Sequence, residues 1–140
     1  MTDLEGRTVL ITGAGSGIGF ACAEGFVADG ATVYGADIRA DRLEALEALG
    51  AVALEVDVSR DAEVKVFVQK AKIETGRVDV LFNNAGMSYG SRIEDLPEGE
   101  FEEMFAVHLF GAIYAMRAAL PIMRAAGYGR VINTISRGAE

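Results

Sequence analysis

The chain has 140 residues, 51% of them hydrophobic and 24% charged, with a formal net charge of −8. That length suits one domain with a core that hides roughly two-thirds of the unfolded surface. The acidic balance excludes nucleic acid and anionic membrane surfaces as expected partners, because both present phosphate. A single cysteine, Cys22, allows no internal disulfide and matches no zinc spacing. It reads as a small buried residue of the first helix, and a reducing, cytoplasmic setting fits it. The first residues are acidic and contain no apolar run, so they do not read as a secretory signal.

Apolar, β-branched runs alternate with helix-period segments along the chain. Thr8–Thr12 predicts a first strand, bounded by Gly6 and Gly13. A small-residue helix is expected over 18–29, stopped by Gly30. Thr32–Asp37 predicts a second strand. Residues 39–49 predict a helix with Leu43, Leu46 and Leu49 on one face, closed by Gly50. A third strand is expected over 52–57. Ser59 is the expected N-cap of a helix running to Lys72, in which Val64, Phe67, Val68 and Ala71 keep helical spacing. A fourth strand follows over 78–82, then a loop rich in Asn, Gly and Ser over 83–92. One long helix is expected over most of 98–126, kinked or broken at Pro121. Its apolar run, 105–116, is too short to span a bilayer and predicts a buried helix. A fifth strand is expected over 130–135. Strands this continuously apolar belong to a parallel sheet covered on both faces. The pattern predicts an α/β fold: a doubly wound, Rossmann-like parallel sheet of five strands with helices on both sides.

The first strand runs into Thr12-Gly13-Ala14-Gly15-Ser16-Gly17-Ile18-Gly19, and a helix follows at once. Gly13 lets the chain turn off the strand, Gly17 clears a side chain where a pyrophosphate must approach, and Gly19 lets the helix pack close to the sheet. The free N–H groups and positive dipole end of that helix then face phosphate. The spacing is G-x-x-x-G-x-G rather than the common G-x-G-x-x-G, and no G-K-[ST] follows, so an ATPase or GTPase reading is poor. Asp37 ends the second strand about 20 residues after Gly17, where a carboxylate can accept hydrogen bonds from the adenine ribose and would repel a 2′-phosphate. This favours NAD over NADP, although Arg39 and Arg42 lie close enough in sequence to host a phosphate.

Taken together, these features resemble the short-chain dehydrogenase/reductase family. The resemblance rests on four motifs in order: Thr12-Gly13-x-x-x-Gly17-x-Gly19, Asp57-Val58 after the third strand, Asn83-Asn84-Ala85-Gly86 after the fourth, and Gly129-Arg130-Val131-Ile132-Asn133 leading to Ser136. It implies that backbone groups of Ser16 and Ile18, in a loop that includes Gly15, hold the pyrophosphate. Asp57 and Val58 would meet the adenine, and Asn83, Ala85 and Gly86 the ribose and nicotinamide side. Asn and Gly there also suit a tight turn with positive φ. Ser136 would hydrogen-bond the reacting carbonyl or hydroxyl of the substrate. His108 stands where many members place an asparagine of a proton-relay network. A histidine can still hydrogen-bond there, and His108 is either a relay group or a satisfied helix residue.

The family's chemistry also needs a tyrosine with a lysine four residues later, and no such pair occurs in these 140 residues. The segment 1–140 is therefore expected to be a dinucleotide-binding domain, incomplete at its C-terminal end. Two readings follow. One is an oxidoreductase moving a hydride between an alcohol or ketone and NAD; the other is a catalytically silent NAD-binding or dimerising module. The apolar helix further suggests a homo-oligomer, a dimer or tetramer, with Val107, Phe110 and Tyr114 as contact residues. Met87, Ser88 and Tyr89 read as a mobile loop rather than as substrate contacts.

Overall fold

β1 (Thr8–Thr12) is buried along its whole length, as an apolar strand covered on both faces must be. In the computed structural model, which describes residues 4–136, it is the middle of one parallel sheet. β2 (Thr32–Asp37), β3 (Val52–Glu55), β4 (Val80–Asn83) and β5 (Arg130–Asn133) complete the order β3-β2-β1-β4-β5. Register runs Thr8↔Thr32 to Thr12↔Ala36 on one side of β1 and Val9↔Val80 to Ile11↔Phe82 on the other. The predicted strands are found. β3 and β5 end two residues earlier than expected, β4 starts two later, and Asn83 is its last residue rather than part of the loop.

Side chains of neighbouring strand residues point to opposite faces, so β1 feeds two cores. Val9 and Ile11 join Ala23, Val33 and Leu46 under α1 (Gly17–Ala28) and α2 (Leu43–Ala48). Leu10 joins Tyr34, Phe67, Val68 and Leu81 under α3 (Asp61–Thr75) and a later helix, α5 (Gly111–Ala126). The four apolar positions named for α3 are all fully buried. Cys22 lies on α1 as expected but is half-buried rather than buried.

Three local expectations are corrected. The second helix is short: residues Ala40–Arg42 form a 3-10 turn before α2. Ser59 does not cap α3. Its hydroxyl and its N–H both donate to Asp57 Oδ1, at 2.6 and 2.9 Å, and α3 starts after Arg60. Glu63 from the first turn reaches back to accept the Asp57 N–H at 2.7 Å, which closes that turn instead. The long helix is interrupted not at Pro121, which lies inside α5, but at residues Ala106–Phe110, a π turn between α4 (Glu98–Phe105) and α5.

The 29-residue stretch Glu98–Ala126 is long and apolar enough to cross a bilayer by length and composition, whereas the shorter run inside it is not. Here α5 packs on α3 and β4 through Gly111, Ala115, Ala119 and Met123. The expectation of a buried run fails on its other side. Phe105, Leu109, Phe110 and Ile113 are between 38% and 47% exposed.

At the amino ends of the strands, Asp79 is buried and ties the start of β1 to the loop before β4. It accepts from Arg7 Nη1 (3.0 Å), the Thr8 N–H (2.9 Å), and Arg77 Nε and Nη2 (2.6 Å each). Burial opposes its charge, but Arg77, the Thr8 amide and Arg7 together hold the carboxyl below its usual range. Across the sheet, burial and then a hydroxyl bond to Glu74 push Tyr34 up to about 12.

Candidate cofactor-binding site

The strand order reverses between β1 and β4, and ligands of open α/β sheets bind outside the carboxyl ends of the strands at such a point. A cleft of about 360 Å³ lies there, walled by Gly13, Ser16, Asp37, Arg42, Asp57, Val58, Ala85 and Gly86 among others. Four strand ends therefore contribute to it: β1 through Gly13, β2 through Asp37, β3 through Val56 and the Asp57–Ser59 turn, and β4 through Asn84 to Met87.

The glycine loop is shaped by close approach as much as by turning. Gly13 has φ +63°, and a Cβ there would stand 2.8 Å from the Ala85 Cα. Gly17 has φ +55° with open space around its missing Cβ, the arrangement a ligand phosphate needs at a helix start. Gly19 does not primarily serve contact with the sheet. Its Cβ would sit 2.1 Å from the Gly13 carbonyl oxygen, so it lets α1 begin against the loop itself. Ser16 stands at the N-cap of α1 with an extended backbone and no side-chain capping bond. Ile18 is exposed beside it.

Asp37 is buried at the end of β2, and each carboxylate oxygen is held. Oδ2 accepts the Gly15 N–H and Oδ1 the Arg39 N–H, both at 2.9 Å. Arg42 Nη1 lies 3.9 Å from Oδ1 and donates to Ser16 Oγ at 3.0 Å. A Cβ on Gly15 would strike Asp37 Oδ2 and Arg42 Cβ at 2.7 Å, so glycine is required for this packing. Arg39 turns instead to Asp41, bonding both its oxygens at 2.8–2.9 Å on the exposed rim. Asp57 faces the cleft while its Oδ1 serves Ser59 and its Oδ2 lies 3.5 Å from Arg60.

Sequence reasoning gave Asn84 no role, yet it joins three strand ends. Its Nδ2 donates to the carbonyls of Thr12 (3.3 Å) and Gly13 (3.2 Å), and its Oδ1 accepts from Thr134 Oγ1 (3.1 Å). Thr12 was likewise passed over. Its Oγ1 accepts the N–H groups of both Asn84 and Ala85 at 3.1 Å, pinning the loop after β4 to β1. The signal lay in the motifs, since Thr12 precedes the first glycine and Asn84 is the second of paired asparagines. Thr12→Val keeps the shape and deletes that acceptor. It is expected to cost about 1–3 kcal/mol, because two N–H groups lose their partner, and urea unfolding measures it.

Asn83 is brought elsewhere. It lines a second cavity of about 260 Å³ with Thr12, His108, Asn133 and Thr134, and its Nδ2 donates to Asn133 Oδ1 at 2.9 Å. The turn with positive φ proposed for this motif is absent: no described residue other than glycine has positive φ, and neither does Gly86. Gly86 is needed for a different reason. Its Cβ would meet the His108 ring at 2.8 Å. His108, in the π turn, grips the next residue, its Nε2 lying 2.6 Å from the Met87 carbonyl and 3.2 Å from the Met87 N–H. One ring nitrogen cannot donate and accept at once, and the shorter distance favours donation to the carbonyl. Ser136 is exposed, just beyond β5.

A glycine loop opening a helix at the switch point, with a held carboxylate on the neighbouring strand, defines a dinucleotide-binding α/β protein. More narrowly, the chain belongs to the short chain dehydrogenase family, whose family model matches residues 7–140. It is 37% identical over 136 residues to an uncharacterized oxidoreductase of Bacillus subtilis (strain 168), covering 93% of this chain and 53% of that protein. It is 34% identical over 140 residues to the D-beta-hydroxybutyrate dehydrogenase of Cupriavidus necator, covering 95% and 54%. Among solved structures, a metagenomic short-chain oxidoreductase in complex with NADP superposes with a TM-score of 0.89 at 29% identity, over 98% of this chain and 66% of that one. The chain spans about half the length of the curated relatives it matches.

Proposed function

We propose that this chain is the cofactor-binding part of an oxidoreductase that interconverts an alcohol and a ketone and prefers NAD to NADP. The observation that carries the preference is Asp37: a buried carboxylate on the cleft wall, fixed by the Gly15 and Arg39 amides, accepts ribose hydroxyls and repels a 2′-phosphate. The family supports the reaction class, and the open space at Gly17 with the cleft volume supports the fit of a dinucleotide.

In this reading the pyrophosphate lies over the amides of Ser16 and Ile18, where α1 presents its free N–H groups. Asp37 takes the adenosine ribose, Asp57 and Val58 the adenine, and Ala85 and Gly86 the nicotinamide ribose; Asn83 supports that end from the second cavity. The nicotinamide supplies the hydride acceptor or donor. Ser136 holds the oxygen of the substrate and steadies charge developing on it. His108 holds the Met87 backbone through Nε2 and is assigned the proton relay by the family resemblance. The Tyr-x-x-x-Lys pair does not occur in these 140 residues, so the principal acid/base step is assigned to none of them. The exposed Phe105, Leu109, Phe110 and Ile113 support a homo-oligomer, with Val107 and Tyr114 packed behind them. We place the protein in the cytoplasm on its single cysteine.

Asp37→Ala in the full-length polypeptide is expected to lower the NAD/NADP affinity ratio about tenfold or more, read by calorimetric titration of each cofactor. An unchanged ratio refutes the role given to Asp37.

A further inference from the structure

The side-chain amide of Asn84 has partners at both ends. Its Nδ2 donates to the carbonyl oxygens of Thr12 (3.3 Å) and Gly13 (3.2 Å), at the glycine loop, and its Oδ1 accepts from Thr134 Oγ1 (3.1 Å), beyond the end of β5. The nitrogen is also packed against the start of α1, since a Cβ on Gly19 would stand 2.6 Å from it. An amide keeps its donor and acceptor in one plane, so a shift of the loop-bound end is carried to the end that holds Thr134.

Thr134 stands where the chain leaves the sheet. Among the described residues the register of β4 with β5 ends at Asn83↔Asn133, and the Thr134 N–H donates to the Asn83 carbonyl at 3.0 Å. Asn133 is tied across the same pair of strands by the Asn83 amide at 2.9 Å. Ser136 follows two residues later, a reach of about 7 Å for extended chain. The N–H bond sets the height of Thr134 on the sheet, and the hydroxyl bond sets the direction in which the chain departs. Thr134 is exposed, so the hydroxyl rather than burial supplies its contact with Asn84.

We propose that Thr134 is a positioning residue for Ser136, and that Asn84 makes this positioning depend on the cofactor. A dinucleotide seated on the glycine loop steadies the Thr12 and Gly13 carbonyls. These hold the Asn84 amide, and the amide holds Thr134 and the chain that leads to Ser136. The serine is ordered when the cofactor is in place. This rests on the dinucleotide reading and on the role given there to Ser136.

The test is amide hydrogen exchange of the full-length polypeptide with and without saturating NAD+, followed in peptides covering 131–136. In the native protein NAD+ is expected to slow exchange there by about fivefold or more. Thr134→Val keeps the shape and removes the hydroxyl. It is expected to abolish that protection while calorimetric NAD+ affinity stays within about twofold. Thr134→Ser restores the hydroxyl and is expected to restore the protection, which a purely structural role for the threonine would not predict. Equal protection in native and Thr134→Val protein overturns the proposal, as does NAD+ binding to the native protein without protection of this segment. Loss of protection in Thr134→Ser as well overturns the role of the hydroxyl. Should Thr134→Val fail to fold, Thr134→Ala carries the same expectations. Failure of the native protein to bind NAD+ instead removes the dinucleotide reading itself, and the proposal with it.

Discussion

Gly19→Ala is expected to cost about 3 kcal/mol or more in folding stability and to abolish dinucleotide binding. The added methyl would lie 2.1 Å from the Gly13 carbonyl oxygen and 2.6 Å from Asn84 Nδ2. Neither neighbour can retreat. The Gly13 backbone is already against Ala85, and Asn84 is bonded to Thr12, Gly13 and Thr134. The strain therefore falls on the start of α1, where the phosphate-facing N–H groups are. Gly17→Ala is the control. Its Cβ meets nothing within 4 Å, so the cost is the positive φ alone, about 1–2 kcal/mol. Urea unfolding of both variants checks this. If Gly19→Ala costs no more than Gly17→Ala, close approach is not what fixes glycine at 19.

Asp79→Ala is expected to destabilise the fold by about 3 kcal/mol, at the end of the sheet away from the cleft. The loss combines the buried Thr8 N–H without its acceptor, worth about 1–3 kcal/mol, with two arginines released from a buried partner. The arginines are partly solvated, which keeps the figure below that of a wholly buried network. The same carboxyl makes stability depend on pH. Its folded pKa lies below the unfolded value near 4. Its contribution is therefore complete above that value and lost as pH falls through the lower folded one. Urea midpoints taken from neutrality to about pH 3 should fall more steeply for the native chain than for Asp79→Asn. Equal slopes would show that Asp79 is not the titrating hub.

Much of the fold is legible because its physics is local. Buried parallel strands need apolar residues on both faces, and Thr8–Thr12 and Thr32–Asp37 show this directly. What the sequence hides depends on tertiary partners. Pro121 signals a break by its missing N–H, but it and Arg117, the residue a turn earlier, are exposed, on the side of the helix where a freed carbonyl costs least. The π turn has no comparable signal. It falls where His108 must reach Met87 and Gly111 must lie on Val58, with a would-be Cβ 3.0 Å from the Val58 side chain. Ser59 had the chemistry of a cap, and Asp57 took its hydrogens first.

The site divides in the same way. Asp37 was legible from its distance to the glycine loop, but the donors around it come from residues 15, 39 and 42 and meet only through folding. Asn84 and Thr12 looked like motif letters, and their work is to hold three strand ends in register.

The most direct test of the account is a calorimetric titration of the full-length polypeptide with NAD+ and NADP+. One NAD+ per chain is expected to bind saturably, with a dissociation constant in the micromolar to millimolar range, and NADP+ more weakly. Absence of saturable binding, or a preference for NADP+, would contradict it.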